Sequence, residues 1–206
     1  MYRSFHSISV FGSIPEINNT NGLLLLPNHS SWWDGFFTYY LNKLYFNRKF
    51  HIMMLEHKLE EFKFFNKLGA YSIKHDSPKS MRETLAYTSE LLDNEENSLV
   101  NVYPEGVMGP SFNNDVNFKP GIDVVFRTSK KPMNVLVLGM KIISLFEQRP
   151  QVFFKFSPLL KSEPNNQLNS KDLQEILRNN LRDIDQSIID KKDHAIIFRG
   201  RKSRSE

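Results

Sequence analysis

Residues 23–37 read LLLLPNHSSWWDGFF, and this stretch limits what the chain can fold into more than any other. Its run of four leucines is too short to span a bilayer and long enough for a strand covered on both faces. Pro27 cannot donate to a sheet ladder, so the strand is expected to end there and release Asn28 and His29 into a turn. Asp34, followed by Gly35, suits the start of a helix, where unpaired N–H groups and the helix dipole favour a carboxylate. The expected order is buried strand, turn, helix.

His29 and Asp34 stand five residues apart. On a regular helix, at about 3.6 residues per turn, that spacing points two side chains in different directions. They meet only where the chain bends, as a strand-to-helix turn does. An aspartate bonded to one ring nitrogen fixes the tautomer and leaves the other nitrogen free to take a proton, which makes a general base with its orienter. A solvent-exposed histidine and an unrelated capping aspartate give the same spacing, so the pair alone is a weak motif.

The other segments fill in an α/β pattern. Strands are expected at residues 8–12, 50–55, 70–73, 98–103, 135–142 and 151–157, with 195–198 extended. Helices are expected from Asp34, over 56–68 with Gly69 as C-cap, from Ser77-Pro78 to about residue 92, over 122–129, and from a Ser170 cap onward. Strands alternating with helices predict a mixed, mostly parallel sheet of about seven strands covered by helices, in a single domain over residues 1–206. Ligands in such folds bind beyond the carboxyl ends of the strands. His29 to Asp34, Lys74-His75 and Glu105-Gly106 each follow a predicted strand, which puts all three within reach of one rim.

Composition narrows the function classes. Hydrophobic residues make up 40% and phenylalanines number 17, which suits an aromatic-rich core or an apolar ligand site. Trp32, Trp33, Phe36 and Phe37 fit core, an acyl channel or a bilayer contact, core being the commoner fate of aromatics. No apolar run is long enough for a transmembrane helix, and the N-terminal segment lacks a signal-peptide core. The absence of cysteine excludes disulfide and thiolate chemistry and fits a reducing cytoplasm. The histidines lack metal-ligand spacing, so no metal is expected. Net charge is +4, with four basic residues among residues 199–204. That tail fits anionic headgroups or a solvated end, and no nucleic-acid recognition motif accompanies it.

At this point the chain resembles the glycerophospholipid (lysophospholipid, or 1-acylglycerol-3-phosphate) acyltransferase family. Asn28-His29-Ser30-Ser31-Trp32-Trp33-Asp34 is similar to that family's N-H-x4-D block, Tyr103-Pro104-Glu105-Gly106 to its F-P-E-G block, and Phe118-Lys119-Pro120-Gly121 to its F-K-x-G segment. Gly69 to Lys74 falls where the family has a glycine-led block ending in a basic residue. Order and spacing agree across residues 8–142. The resemblance implies transfer of a fatty acyl group from acyl-CoA or acyl-carrier protein, as co-substrate and with no cofactor, to the hydroxyl of a lysophospholipid or related lipid alcohol. It implies His29 as general base, Asp34 as its orienter, Glu105 and Gly106 shaping the acceptor pocket, and Lys74 and Lys119 at a phosphate or headgroup.

Three departures stand out. Val107 and Met108 occupy positions where the family has Thr and a phosphate-associated Arg, Lys74 replaces an Arg, and residues 135–142 lack the usual prolines. The phrase around His29 and the segment from Phe198 to Ser203 look like a bacterial branch associated with carotenoid or glycolipid acylation. A thioesterase using the same pair and a non-catalytic lipid-binding protein are the alternatives. Lipid substrates imply a peripheral site on the inner face of the cell membrane, with residues 56–68 and the basic tail as the expected contacts.

Overall fold

The structure is a computed structural model and describes residues 1–74 and 77–201. His75 and the basic residues Lys202 and Arg204 lie outside the described residues. The strands are β1 (Ser7–Phe11), β2 (Leu23–Pro27), β3 (Lys49–Leu55), β4 (Ala70–Ile73), β5 (Ser98–Asn101), β6 (Met133–Ile143), β7 (Gln151–Phe156), β8 (Leu160–Ser162) and β9 (Ala195–Arg199). The helices are α1 (Asp34–Leu41), α2 (Glu56–Glu61), α3 (Pro78–Asn94), α4 (Gly121–Thr128) and α5 (Ser170–Ile189). All the strands join one sheet in the order β4-β3-β5-β2-β6-β7-β1-β9, with β8 pairing β6. The first five in that order run parallel, and β7, β8 and β9 introduce the antiparallel pairs.

The leucine run is the centre of this sheet, between β5 and β6. Leu24 and Leu26 face a core closed by α3, α4 and α5, through residues such as Leu92, Val125 and Leu177. Leu23 and Leu25 face the opposite core, with Phe37 and Leu41 of α1. A strand buried on both faces has no polar side to alternate with, which is why four leucines run together. Burying each fully is worth ~1.5–3 kcal/mol.

Nine strands replace the expected seven or so. The strand absent from the expectation is β8, three residues between Pro158 and Pro164 that pair with the start of β6. Two helix expectations also need correction. Residues 56–68 are not one amphipathic helix: α2 ends at Phe62 (φ −118°, ψ 61°) and a 3-10 segment, Lys63–Leu68, follows. Apolar residues at 59, 62, 65 and 68 recur every three positions, the period of a 3-10 helix. The cap of α5 is Asn169, whose side chain accepts from the Asp172 N–H, while Ser170 bonds Asp123 through its N–H (2.8 Å) and hydroxyl (2.7 Å). Ser77 and Pro78 start α3 as expected. Among the described residues no helix is long and apolar enough to cross a membrane.

Candidate active site

Because β2, β3, β4 and β5 run parallel, their carboxyl ends share one rim, and His29, Lys74 and Glu105 leave the sheet there. The turn after β2 begins with Asn28, whose amide continues the pairing that Pro27 ends. Its Nδ2 donates to the Met140 carbonyl (2.9 Å) and its Oδ1 accepts from the Met140 N–H (2.7 Å). The backbone of His29 is then fixed from the β5 side. Its N–H donates to Glu105 Oε1 (3.1 Å), and its carbonyl accepts from the Gly109 N–H (2.8 Å).

His29 and Asp34 meet. His29 Nδ1 donates to Asp34 Oδ2 at 2.9 Å, and the same oxygen accepts from the N–H groups of Ser30 (2.7 Å) and Ser31 (2.8 Å). Asp34 is the first residue of α1, yet its carboxylate does not cap that helix. It reaches back and closes the turn that carries the histidine. Asp34 is wholly buried, whereas the His29 side chain is 24% exposed and lines the cavity described below. With Nδ1 committed, Nε2 is the nitrogen free for proton transfer. The ring of Tyr103 stacks on the imidazole, centroids 4.1 Å apart and planes 17° from parallel.

Beside this pair lies a cavity of about 720 Å³, within the range of small-molecule sites. Ile52, Met54, Phe65, Met81, Leu85 and Val102 make its wall apolar, and Gly106 and Lys119 lie on it. Trp32 lines it, while Trp33 packs into the core with the fully buried Phe37, so the aromatic segment is divided between the two roles. Val107 and Met108 line it too, although 62% and 54% exposed. The cavity is therefore apolar where the sequence departs from its relatives.

Two expected residues have other surroundings. Glu105 holds the His29 backbone, and burial raises its pKa against the lowering effect of that N–H and of His29. Among the described residues that line the cavity Lys74 is absent, and it pairs with Glu56 at 3.1 Å. Lys58, unmarked in the sequence, lines the cavity and pairs with Glu61 at 2.7 Å. Asn28 and Tyr103 were quoted only as parts of motifs, and their contacts arise from strands distant in sequence. Glu105→Ala unpairs the His29 N–H and is expected to cost about 1–3 kcal/mol in stability. Glu105→Gln keeps an accepting oxygen and should stay within about 1 kcal/mol of the parent. Urea unfolding of the two variants measures the difference.

The Acyltransferase family model matches residues 11–141, a span that contains the His29–Asp34 turn, Glu105 and Lys119. No curated protein matches the chain. With the match covering well over half of its length, and acyl transfer therefore its reaction class, the chain belongs to the Acyltransferase family.

Proposed function

We propose that the protein moves a fatty acyl group from an acyl-CoA or acyl-carrier-protein thioester to the hydroxyl of a lysophospholipid or related lipid alcohol. The observation that carries this reading is a buried, thrice-bonded aspartate orienting a cavity-lining histidine beside an apolar cavity. Nε2 of His29 takes the proton of the acceptor hydroxyl as its oxygen attacks the thioester carbonyl. The tetrahedral intermediate collapses, the C–S bond breaks, and the imidazolium returns the proton to the leaving sulfur. No covalent enzyme intermediate is needed, because the thioester is already activated. General-base catalysis supplies about 10²–10⁴-fold, and alignment of the two bound partners supplies much of the rest.

Lys119 and Lys58 are the cations on the cavity wall, and Lys119 remains the better headgroup contact, since Lys58 is paired with Glu61. Val107 and Met108 favour a second reading of the acceptor, a neutral lipid alcohol such as a glycolipid or carotenoid hydroxyl. Lipid mass spectrometry of cells with and without the gene tests both readings. Loss of a phospholipid ester supports the first, loss of a neutral ester supports the second, and an unchanged lipid profile opposes both.

Access to such substrates calls for a peripheral contact with the inner face of the membrane. Exposed apolar residues support the loops at the site's own rim as that contact: Trp32 after β2, Phe64 after β3, Phe112 after β5 and Phe146 after β6, the last two 83% and 100% exposed. Burying a phenylalanine is worth ~1.5–3 kcal/mol. Phe112→Asp combined with Phe146→Asp is therefore expected to weaken binding to phospholipid vesicles at least about 10-fold. Vesicle flotation measures this, and undiminished binding would remove these loops from the contact.

A further inference from the structure

Behind the His29–Asp34 pair lies a group of buried polar atoms that general-base transfer does not use. Asp34 engages three donors through Oδ2, while its Oδ1 is buried without a hydrogen-bonding partner among the described residues. The Tyr103 hydroxyl and both polar atoms of the Asn101 amide are in the same condition. These groups are neighbours. The Tyr103 hydroxyl stands close to the Asn101 and Thr38 side chains and feels the charge of Asp34. It also lies 4.0 Å from the point a Cβ on Gly35 would occupy, directly under the first turn of α1. Thr38 directs its own proton to the carbonyls of Asp34 (3.2 Å) and Gly35 (3.1 Å), so toward this group it can only accept.

Folded proteins rarely leave several buried polar atoms unmatched in one place, and where they do the cluster calls for an explanation. The phenol O–H has two kinds of acceptor beside it, neutral oxygens such as Thr38 Oγ1 and the charged Asp34 Oδ1, and the charged one makes the stronger bond. Asn101 has two N–H donors to spare, the phenol has one O–H and a lone pair, and Asp34 Oδ1 can only accept. A chain from Asn101 Nδ2 to the phenol oxygen, and from the phenol O–H to Asp34 Oδ1, matches three of these four atoms and leaves Asn101 Oδ1 outside it.

We propose that Tyr103, backed by Asn101, is the positioning residue of the pair: its ring holds the plane of the imidazole and its hydroxyl donates to Asp34 Oδ1. The proposal rests on the reading of His29 as base. The phenol keeps its proton throughout and moves none. Burial, and secondarily the Asp34 carboxylate, raise its pKa well above the ordinary tyrosine value, so it stays a donor at working pH. With Oδ2 bound to Nδ1 and Oδ1 held by the phenol, the proton taken from the acceptor resides on Nε2. Among the described residues, the other ionisable groups facing the pair are Glu105 from the loop after β5, and Lys58 and Lys119 on the cavity wall.

Tyr103→Phe keeps the ring and removes the hydroxyl. It is expected to lower kcat about 10- to 100-fold through lost alignment of the Asp34–His29 pair, with KM for the acyl donor within about twofold of the parent. The deprived carboxylate becomes more basic and holds the imidazolium more tightly, so the acid limb of the pH–rate profile moves to higher pH. Asn101→Leu should move both quantities the same way by less. Titration of the His29 ring by 15N NMR, without substrate, reports the same upward shift and stands even if the protein turns over no lipid. Superimposable titration curves for the parent and Tyr103→Phe would overturn the proposal. So would a raised KM at unchanged kcat, because the ring would then only line the cavity.

Discussion

Replacing His29 by alanine is expected to lower kcat/KM for acyl transfer by about 10²–10⁴-fold, the share that a general base contributes. The fold should survive. His29 is partly exposed, and its removal leaves Asp34 Oδ2 with the Ser30 and Ser31 N–H groups at 2.7 and 2.8 Å, so the buried carboxylate keeps its main-chain donors. The backbone anchors of residue 29, through Glu105 and Gly109, involve no side-chain atom of the histidine. A thermal unfolding midpoint close to the parent, combined with lost turnover, is the expected pattern. Lost turnover accompanied by a collapsed midpoint would instead mark His29 as a structural residue.

Asp34 should behave differently, because one carboxylate oxygen serves both chemistry and fold. Asp34→Asn halves the number of accepting oxygens. If the amide oxygen faces Ser30 and Ser31, it still accepts from His29 as well, but without charge to stabilise the imidazolium. If the amide nitrogen turns toward the ring, Nδ1 must accept, the tautomer inverts, and Nε2 carries a proton it can no longer take. The expected loss is about 10³–10⁴-fold in kcat, the scale seen when a buried aspartate behind a catalytic histidine becomes an amide. Asp34→Ala removes the acceptor altogether and leaves three donors of a half-buried turn without their partner. With unsatisfied buried groups costing about 1–3 kcal/mol each, several kcal/mol of stability should go with the activity. Circular dichroism melts alongside kinetics separate the two variants: Asp34→Asn folded and inactive, Asp34→Ala inactive and strongly destabilised.

These effects come from a turn that was largely legible in the sequence. Leucines without alternation called for a strand buried on both faces, Pro27 set its end, and the five-residue spacing demanded a bend before the helix; β2 and α1 have those bounds. The direction of Asp34 was not legible. A carboxylate at the start of a helix normally caps that helix, and only the compact turn from His29 to Trp33 brings the Ser30 and Ser31 N–H groups closer to it. Nor was the bond from the His29 N–H to Glu105 legible, a contact made across neighbouring strands.

Elsewhere the local signals were ambiguous or absent. The three-residue period over 56–68 fits a 3-10 segment as well as a helix face, and the short β8 is specified by its partner β6 rather than by its own residues. Nothing in the sequence marks Arg48. It is buried, donating to the carbonyls of Asn21 (2.6 Å) and Asn19 (2.8 Å) at the amino ends of β2 and β3. Lys74 pairs with Glu56 at 3.1 Å, a contact that its position in the glycine-led block does not specify. The apolar Val107 and Met108 were visible as departures, and their setting on the cavity wall gives those departures a physical consequence for the acceptor.

The most direct test of the central claim is the rate of thiol release from acyl-CoA by the purified protein, measured with and without a lipid alcohol, alongside recovery of the lipid ester. His29-assisted acyl transfer predicts thiol release that rises with the acceptor, ester formed in equal amount, and loss of both in His29→Ala. Thiol release equal with and without the acceptor, or ester formation undiminished in His29→Ala, would contradict it.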